Sequence, residues 1–237
     1  MSSTGGIGQQ IPLNLRYPPD QRLESFVSAP AGAIAHLRAL AVDTHDWVYL
    51  QGAEATGKTH LALAVCAAAD GAGRRAAYLP LHAARGRLRA ALDAIEGNDV
   101  VALDGLEAIA GERDDEVALF DFHNRARANG VAVVYTAQAA PDALPLSLPD
   151  LRSRLAQCTR ITLPALDDAG RRTVLRDRAQ RRGLVMDDAA LDWLLHRFGR
   201  GIAELTALLD TLDRASLAAQ RRVTVPFLRQ VLGSEPQ

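Results

Sequence analysis

Between the apolar run WVYL, residues 47–50, and the helical pattern HLALAVCAAA lies Gly52-Ala53-Glu54-Ala55-Thr56-Gly57-Lys58-Thr59, followed by His60. A glycine, four residues, a second glycine, then Lys and Thr is the spacing of a P-loop. Its glycines let the backbone curl until the amides face phosphate oxygens, and the helix that follows adds positive potential at its N-terminus. Lys58 is placed to reach the outer phosphates of a nucleotide, and the Thr59 hydroxyl to ligate Mg2+. The flanking strand and helix separate this pattern from an ordinary glycine-rich turn. Lys58 is also the single lysine among 27 basic residues, which leaves 26 arginines. A compact ammonium stands where a planar guanidinium would not fit a phosphate cradle.

A P-loop demands a parallel sheet, and the chain supplies one. WVYL (47–50), AAYLPL (76–81), DVVALD (99–104), VAVVYT (131–136) and CTRITL (158–163) are short apolar runs separated by helical patterns. That alternation predicts crossover connections and a sheet covered on both faces. After Pro164 only helices are predicted, in AGRRTVLRDRAQRRG, DDAALDWLLHRFG, IAELTALLDTLDRASLAAQ and PFLRQVL. Each repeats apolar residues three and four apart, with Asp pairs or Pro near the starts of several. The expected fold class is α/β: a P-loop parallel-sheet domain followed by a small all-α lid. The boundaries drawn are a flexible Gly- and Pro-rich tail over 1–22, a nucleotide-binding domain over 23–164 and a helical domain over 165–237.

Composition excludes several classes. Hydrophobic residues make up 48% and charged residues 23% of 237 positions, and no apolar run is long enough to span a membrane. The N-terminus lacks a basic start and an apolar signal core, so a cytoplasmic location is expected. Cys66 and Cys158 lie in apolar settings and read as buried small hydrophobes rather than a disulfide framework. A net charge of -1 without a basic block gives no electrostatic footprint for a dedicated DNA-binding surface.

Two further strand ends carry polar residues. Asp104 closes VVALD, where a carboxylate is the expected partner of a P-loop Mg2+. Thr136 closes VAVVYT, where a hydroxyl can touch the γ-phosphate or the attacking water, with Gln138 as the fallback. The tail contains Gln10-Ile11-Pro12-Leu13-Asn14-Leu15, an aliphatic hexapeptide that is costly in water unless covered, either by its own domain or by a partner.

QIPLNL, GAEATGKTH, VVALDGLEAIAGERDDEVALFDFHNR, LPDLRSRLAQ and LDTLDRASLAAQRRVTVPFLRQVL together resemble the AAA+ ATPases of the DnaA clade, and within it the regulatory inactivators of the initiator. The resemblance implies that Arg154, in LRSRL, is an arginine finger acting in trans, with Arg152 the weaker candidate. It implies that QIPLNL docks on the sliding clamp, the β subunit of DNA polymerase III, and that DNA is reached only through the clamp. The site would hold ADP or ATP with Mg2+, ADP being preferred, and the partner would be the DnaA initiator, whose ATP is hydrolysed. Intrinsic hydrolysis is expected to be weak, because ring-forming ATPases place an acid directly after the strand-end Asp and this chain has Gly105; Glu107 lies too far along to substitute. The clade commonly has a lid sensor arginine where this chain has Ala203, and Arg200 is the nearest replacement. An autonomous ATPase or helicase loader of the same clade, or a non-catalytic nucleotide-bound scaffold, are the alternative functions, and a homodimer through the nucleotide face is compatible with the sequence.

Overall fold

A computed structural model describes residues 22–198, 202–219 and 222–233. The hexapeptide from Gln10 to Leu15 and the lid residue Arg200 lie outside the described residues. The predicted strands form as β1 (Trp47–Gln51), β2 (Ala76–Pro80), β3 (Val100–Asp104), β4 (Ala132–Ala137) and β5 (Thr159–Thr162). They make one sheet in the order β2-β3-β4-β1-β5, and every pairing is parallel. Seven of the ten predicted strand ends shift by a single residue. Leu81 leaves the strand after Pro80, which is still extended at φ -74° and ψ 113° but has no N–H for the ladder, and which stands as N-cap of a short helix, α3 (Leu81–Ala84). Cys158 closes a turn by donating its backbone N–H to Leu155 O.

Side chains alternate across the strands, as a pleated backbone requires. Tyr49, Val101, Leu103, Val133 and Tyr135 face one side and are covered by α3, α4 (Leu88–Ala94), α5 (Arg113–Ala128) and α6 (Pro149–Ala156). Val48, Leu50, Val100, Ala102 and Val134 face the other, against α1 (Ala33–Val42) and α2 (Lys58–Gly71). The strands are apolar on both faces because helices lie on both.

The C-terminal helices are α7 (Asp168–Arg181), α8 (Asp188–Arg197), α9 (Ile202–Ala219) and α10 (Val225–Leu232). The Asp pairs predicted to start helices do so through their first members. Asp167 accepts from Gly170 N–H and Asp187 from Ala190 N–H, each at 2.7 Å, which satisfies an otherwise orphan donor of the first turn. These helices enclose a separate core around Leu175, Leu191, Leu194, Leu205, Leu209 and Leu228. No helix among the described residues is long and apolar enough to cross a membrane. Cys66 and Cys158 are free and buried, and burial pushes both thiols up to about 12.

Candidate functional site

The carboxyl ends of β1, β3 and β4 meet at the P-loop. Gly57 adopts φ +94°, and a side chain there would run into the Phe26 ring at 2.5 Å; a Cβ on Gly52 would stand 2.7 Å from Leu163 O. Both positions therefore require glycine. Thr56 Oγ1 donates to Ala53 O at 2.9 Å, tightening the loop. Lys58 Nζ donates to the carbonyls of Gly52 at 2.7 Å and Ala53 at 2.8 Å, which holds the ammonium over the mouth of the loop. Burial lowers its pKa below the usual lysine value, against the opposing pull of Glu107, Asp104 and Glu54.

Asp104 is the hub of this end. Its Oδ2 accepts from Thr59 Oγ1 at 2.8 Å and from Tyr78 OH at 2.7 Å, and its Oδ1 accepts from Thr136 Oγ1. The two residues predicted to hold Mg2+ are thus in direct contact. Among the described residues no group of three His, Cys, Asp or Glu stands together as a metal cage. The hydroxyl and single carboxylate nevertheless fit Mg2+, which takes one or two protein oxygens and completes its shell with phosphate and water. Thr136 is fully buried, and its hydroxyl also accepts from Gly105 N–H at 2.9 Å. Both its hydrogen-bonding roles serve to orient Asp104 and the turn after β3.

Tyr78 and Phe26 escaped the sequence reading. Tyr78 looks like any aromatic strand residue until β2 is paired with β3, and its phenol is raised by burial and then by Asp104. Glu107 also comes closer than its spacing suggests. Gly105 is left-handed at φ +87° and a 3-10 turn over Leu106–Ala108 follows, so Glu107 Oε1 lies 3.8 Å from where a side chain on residue 105 would begin. Its Oε2 accepts from Gln138 N–H at 3.2 Å.

His60 joins the loop to the helical segment. Its Nε2 must carry the proton, because it meets Arg22 O at 3.0 Å and a carbonyl only accepts; Nδ1 then faces Arg178 Nη2 of α7 at 3.5 Å. Ala203 falls in the first turn of α9.

The two arginine candidates of α6 separate clearly. They stand two residues apart, about 200° around a helix, and so point to different sides. Arg152 Nη2 donates to Leu146 O at 2.5 Å and holds the incoming loop. Arg154 forms no ion pair and no side-chain hydrogen bond with any described residue and lines a cavity of about 360 Å³ with Trp47, His123, Arg127 and Cys158. Trp47 begins β1 and Cys158 precedes β5, so this cavity opens at the amino ends of the strands, across the sheet from the P-loop. Glu116 holds the approach to α6. Its buried carboxylate accepts from Gly111 N–H at 2.7 Å, Ser147 N–H and Oγ at 2.9 Å each, and Leu148 N–H at 2.7 Å. Burial alone would raise this carboxyl, but the donors outweigh it and hold the pKa below the ordinary value.

The fold has counterparts among known proteins. Residues 168–232 match the family model described as Hda, lid domain. The chain is similar to domain III of the Thermotoga maritima replication initiation protein DnaA, with a TM-score of 0.75 and 17% identity over 91% of this chain and 97% of that one. AMPPCP-bound DnaA from Aquifex aeolicus aligns with a TM-score of 0.65 and 18% identity, over 87% of this chain and 70% of its own. The Thermotoga maritima RuvB Holliday junction branch migration motor aligns with a TM-score of 0.62 and 17% identity, over 91% and 72%. The sheet domain and the helical segment after it together have the fold of these AAA+ structures. The chain thus has the fold of DnaA domain III, and its helical segment over residues 168–232 matches the Hda lid domain.

Proposed function

We propose that the chain is a negative regulator of replication initiation that holds an adenine nucleotide of its own and presents Arg154 to ATP bound by the DnaA initiator. The observation that carries this reading is the placement of Arg154. Its guanidinium has no ion pair or side-chain hydrogen bond among the described residues and lies at the amino ends of the strands, whereas the P-loop lies at their carboxyl ends. A five-residue strand is roughly 16 Å long, beyond the reach of an arginine side chain to the chain's own nucleotide. An arginine that cannot reach its own site, and that no described residue neutralises, is suited to a site on another molecule.

In this reading Gly52 to Gly57 wrap the phosphates of ADP or ATP, Lys58 binds the outer phosphates, and Thr59 and Asp104 hold Mg2+. His60 and Arg178 link the loop to the lid. The AMPPCP bound in similar DnaA structures supports the nucleotide assignment. Bound Mg2+ would neutralise phosphate charge. Arg154 would neutralise the charge developing on the partner's γ-phosphate, an effect worth ~10³ to 10⁵ in rate for such fingers. The hexapeptide from Gln10 to Leu15 would dock on the sliding clamp, with Leu13 and Leu15 filling a pocket and Pro12 limiting the entropy lost on binding. Hydrolysis of the chain's own nucleotide is expected to be slow, as Gly105 supplies no carboxylate and the nearby Glu107 carboxylate is engaged by Gln138 N–H.

The test is ATP hydrolysis by DnaA in the presence of clamp-loaded DNA, with wild type, Arg154→Ala and Leu13→Ala/Leu15→Ala compared. Loss of stimulation in both variants supports the proposal. Retention in both overturns it.

A further inference from the structure

Arg154 does not stand alone in its cavity. Arg127, in the last turn of α5, lines the same space, and like Arg154 it makes no ion pair or side-chain hydrogen bond with any described residue. Several other arginines of the sheet domain are matched, including Arg38 with Glu24, Arg89 with Asp121 and Arg125 with Asp93 and Glu96; Arg113 and Arg160 also lack a side-chain partner among the described residues, but only Arg127 shares the cavity of Arg154. The one carboxylate lining the cavity, Asp46, is already engaged. It meets His36 Nε2 at 2.9 Å and accepts from Trp47 N–H at 2.7 Å and Thr159 Oγ1 at 3.4 Å. Two guanidiniums therefore face one cavity without a counter-charge committed to either.

The wall beside them is built to leave their charge unspent. His123 is buried against the Trp47 ring, with centroids 4.1 Å apart, and its Nδ1 meets Tyr135 OH at 3.1 Å. Burial, with Arg154 and Arg127 adding to it, lowers this imidazole to about 4, so it is neutral at physiological pH. The neutral imidazole and the Trp47 ring add no charge beside the two cations, so they do not offset the pull of the arginines on an anion. The ligand chemistry that matches two planar five-donor forks is a multiply charged phosphate chain.

We propose that Arg127 is a second phosphate-binding residue beside Arg154, gripping the triphosphate tail of the nucleotide held by the partner. This rests on the trans-acting reading of Arg154. The two arginines divide the work. Arg127, nearer solvent, contributes to binding the triphosphate in the ground state, whereas Arg154 acts on charge that develops in the transition state.

The inference predicts different kinetic signatures. In the clamp-loaded DnaA assay, Arg127→Ala should raise the concentration needed for half-maximal stimulation about tenfold, equivalent to one charge-assisted contact, with little change in the saturating rate. Arg127→Lys should recover most of that loss. Arg154→Ala should instead remove the saturating rate. Binding on clamp-loaded DNA gives a second readout: Arg127→Ala should weaken attachment to the ATP form of DnaA more than to the ADP form. A wild-type curve for Arg127→Ala, or equal weakening toward the two forms, overturns the inference. The Arg154→Ala arm of the same experiment reports separately on the function it rests on.

Discussion

The two ends of the sheet treat charge in opposite ways. At the carboxyl ends, Asp104 is saturated by Thr59, Tyr78 and Thr136, and Lys58 is held on two loop carbonyls. At the amino ends, Arg127 and Arg154 face a cavity with no described partner. A polar group inside a protein is normally satisfied, because leaving it unpaired costs free energy. The first end is thus complete as a receptor awaiting a ligand that replaces internal contacts one for one. On the proposed function, the second is completed by another molecule that brings negative charge to it.

If the ends are separate devices, damage to one should leave the other working. The largest effect is expected from Glu116→Ala, which strands four donors that now converge on one buried carboxylate. Unsatisfied buried donors cost about 1 kcal/mol or more each, so a loss of about 4 kcal/mol is expected in urea unfolding. Because the Glu116 carboxyl is held below its ordinary value, its share of stability is present above the unfolded pKa, near 4.5, and is lost as pH falls through the folded value. The stability difference between wild type and variant should therefore shrink in acid. Nucleotide binding by the folded variant should be unchanged; its loss would show that the two ends are coupled through α5 and α6.

Lys58→Ala probes the opposite end. Removing a charge-assisted phosphate contact should weaken nucleotide affinity about a hundredfold, or about 2.7 kcal/mol, as read by equilibrium titration of a fluorescent nucleotide. Its thermal midpoint without nucleotide should stay near wild type, since desolvation already works against this ammonium.

His123 gives the smallest effect and sharpens the comparison at the cation-lined cavity. Its folded pKa of about 4 lies below the ordinary 6.5, so between those values the unfolded chain takes up a proton that the folded chain refuses. Stability should fall as pH drops through that window, by about 1 kcal/mol between pH 7 and 5.5. In His123→Gln the slope over this range should be shallower by that amount, whatever the variant's absolute stability. An unchanged slope would mean that another group governs it.

Much of the nucleotide end was legible in the sequence because its residues are local. The P-loop is contiguous, strand and helix periodicity flank it, and Asp104 announces itself at the end of an apolar run. Tyr78 was not legible, because its phenol meets Asp104 only through the pairing of β2 with β3. Thr136 was found but for another task, as sequence cannot say that its hydroxyl is already engaged by Asp104 and Gly105. Glu107 looked too far along to matter, until the left-handed Gly105 and the turn after it brought the carboxylate back. The amino-end cavity was hidden almost entirely. Residues 47, 123, 127 and 154 come from three separate elements, β1, α5 and α6, and with 26 arginines no spacing marks out the two that share the cavity. Helical geometry alone, once α6 is in place, turns Arg152 toward its own backbone and Arg154 toward the cavity.

The central claim is that the two ends act on two different nucleotides. It is tested most directly by Arg154→Ala, with two quantities measured on one preparation: affinity for its own adenine nucleotide, and stimulation of DnaA-bound ATP hydrolysis on clamp-loaded DNA. The account predicts unchanged affinity together with a loss of stimulation of about a thousandfold, or to background. Full stimulation by Arg154→Ala, or a matching loss of its own nucleotide binding, would contradict it.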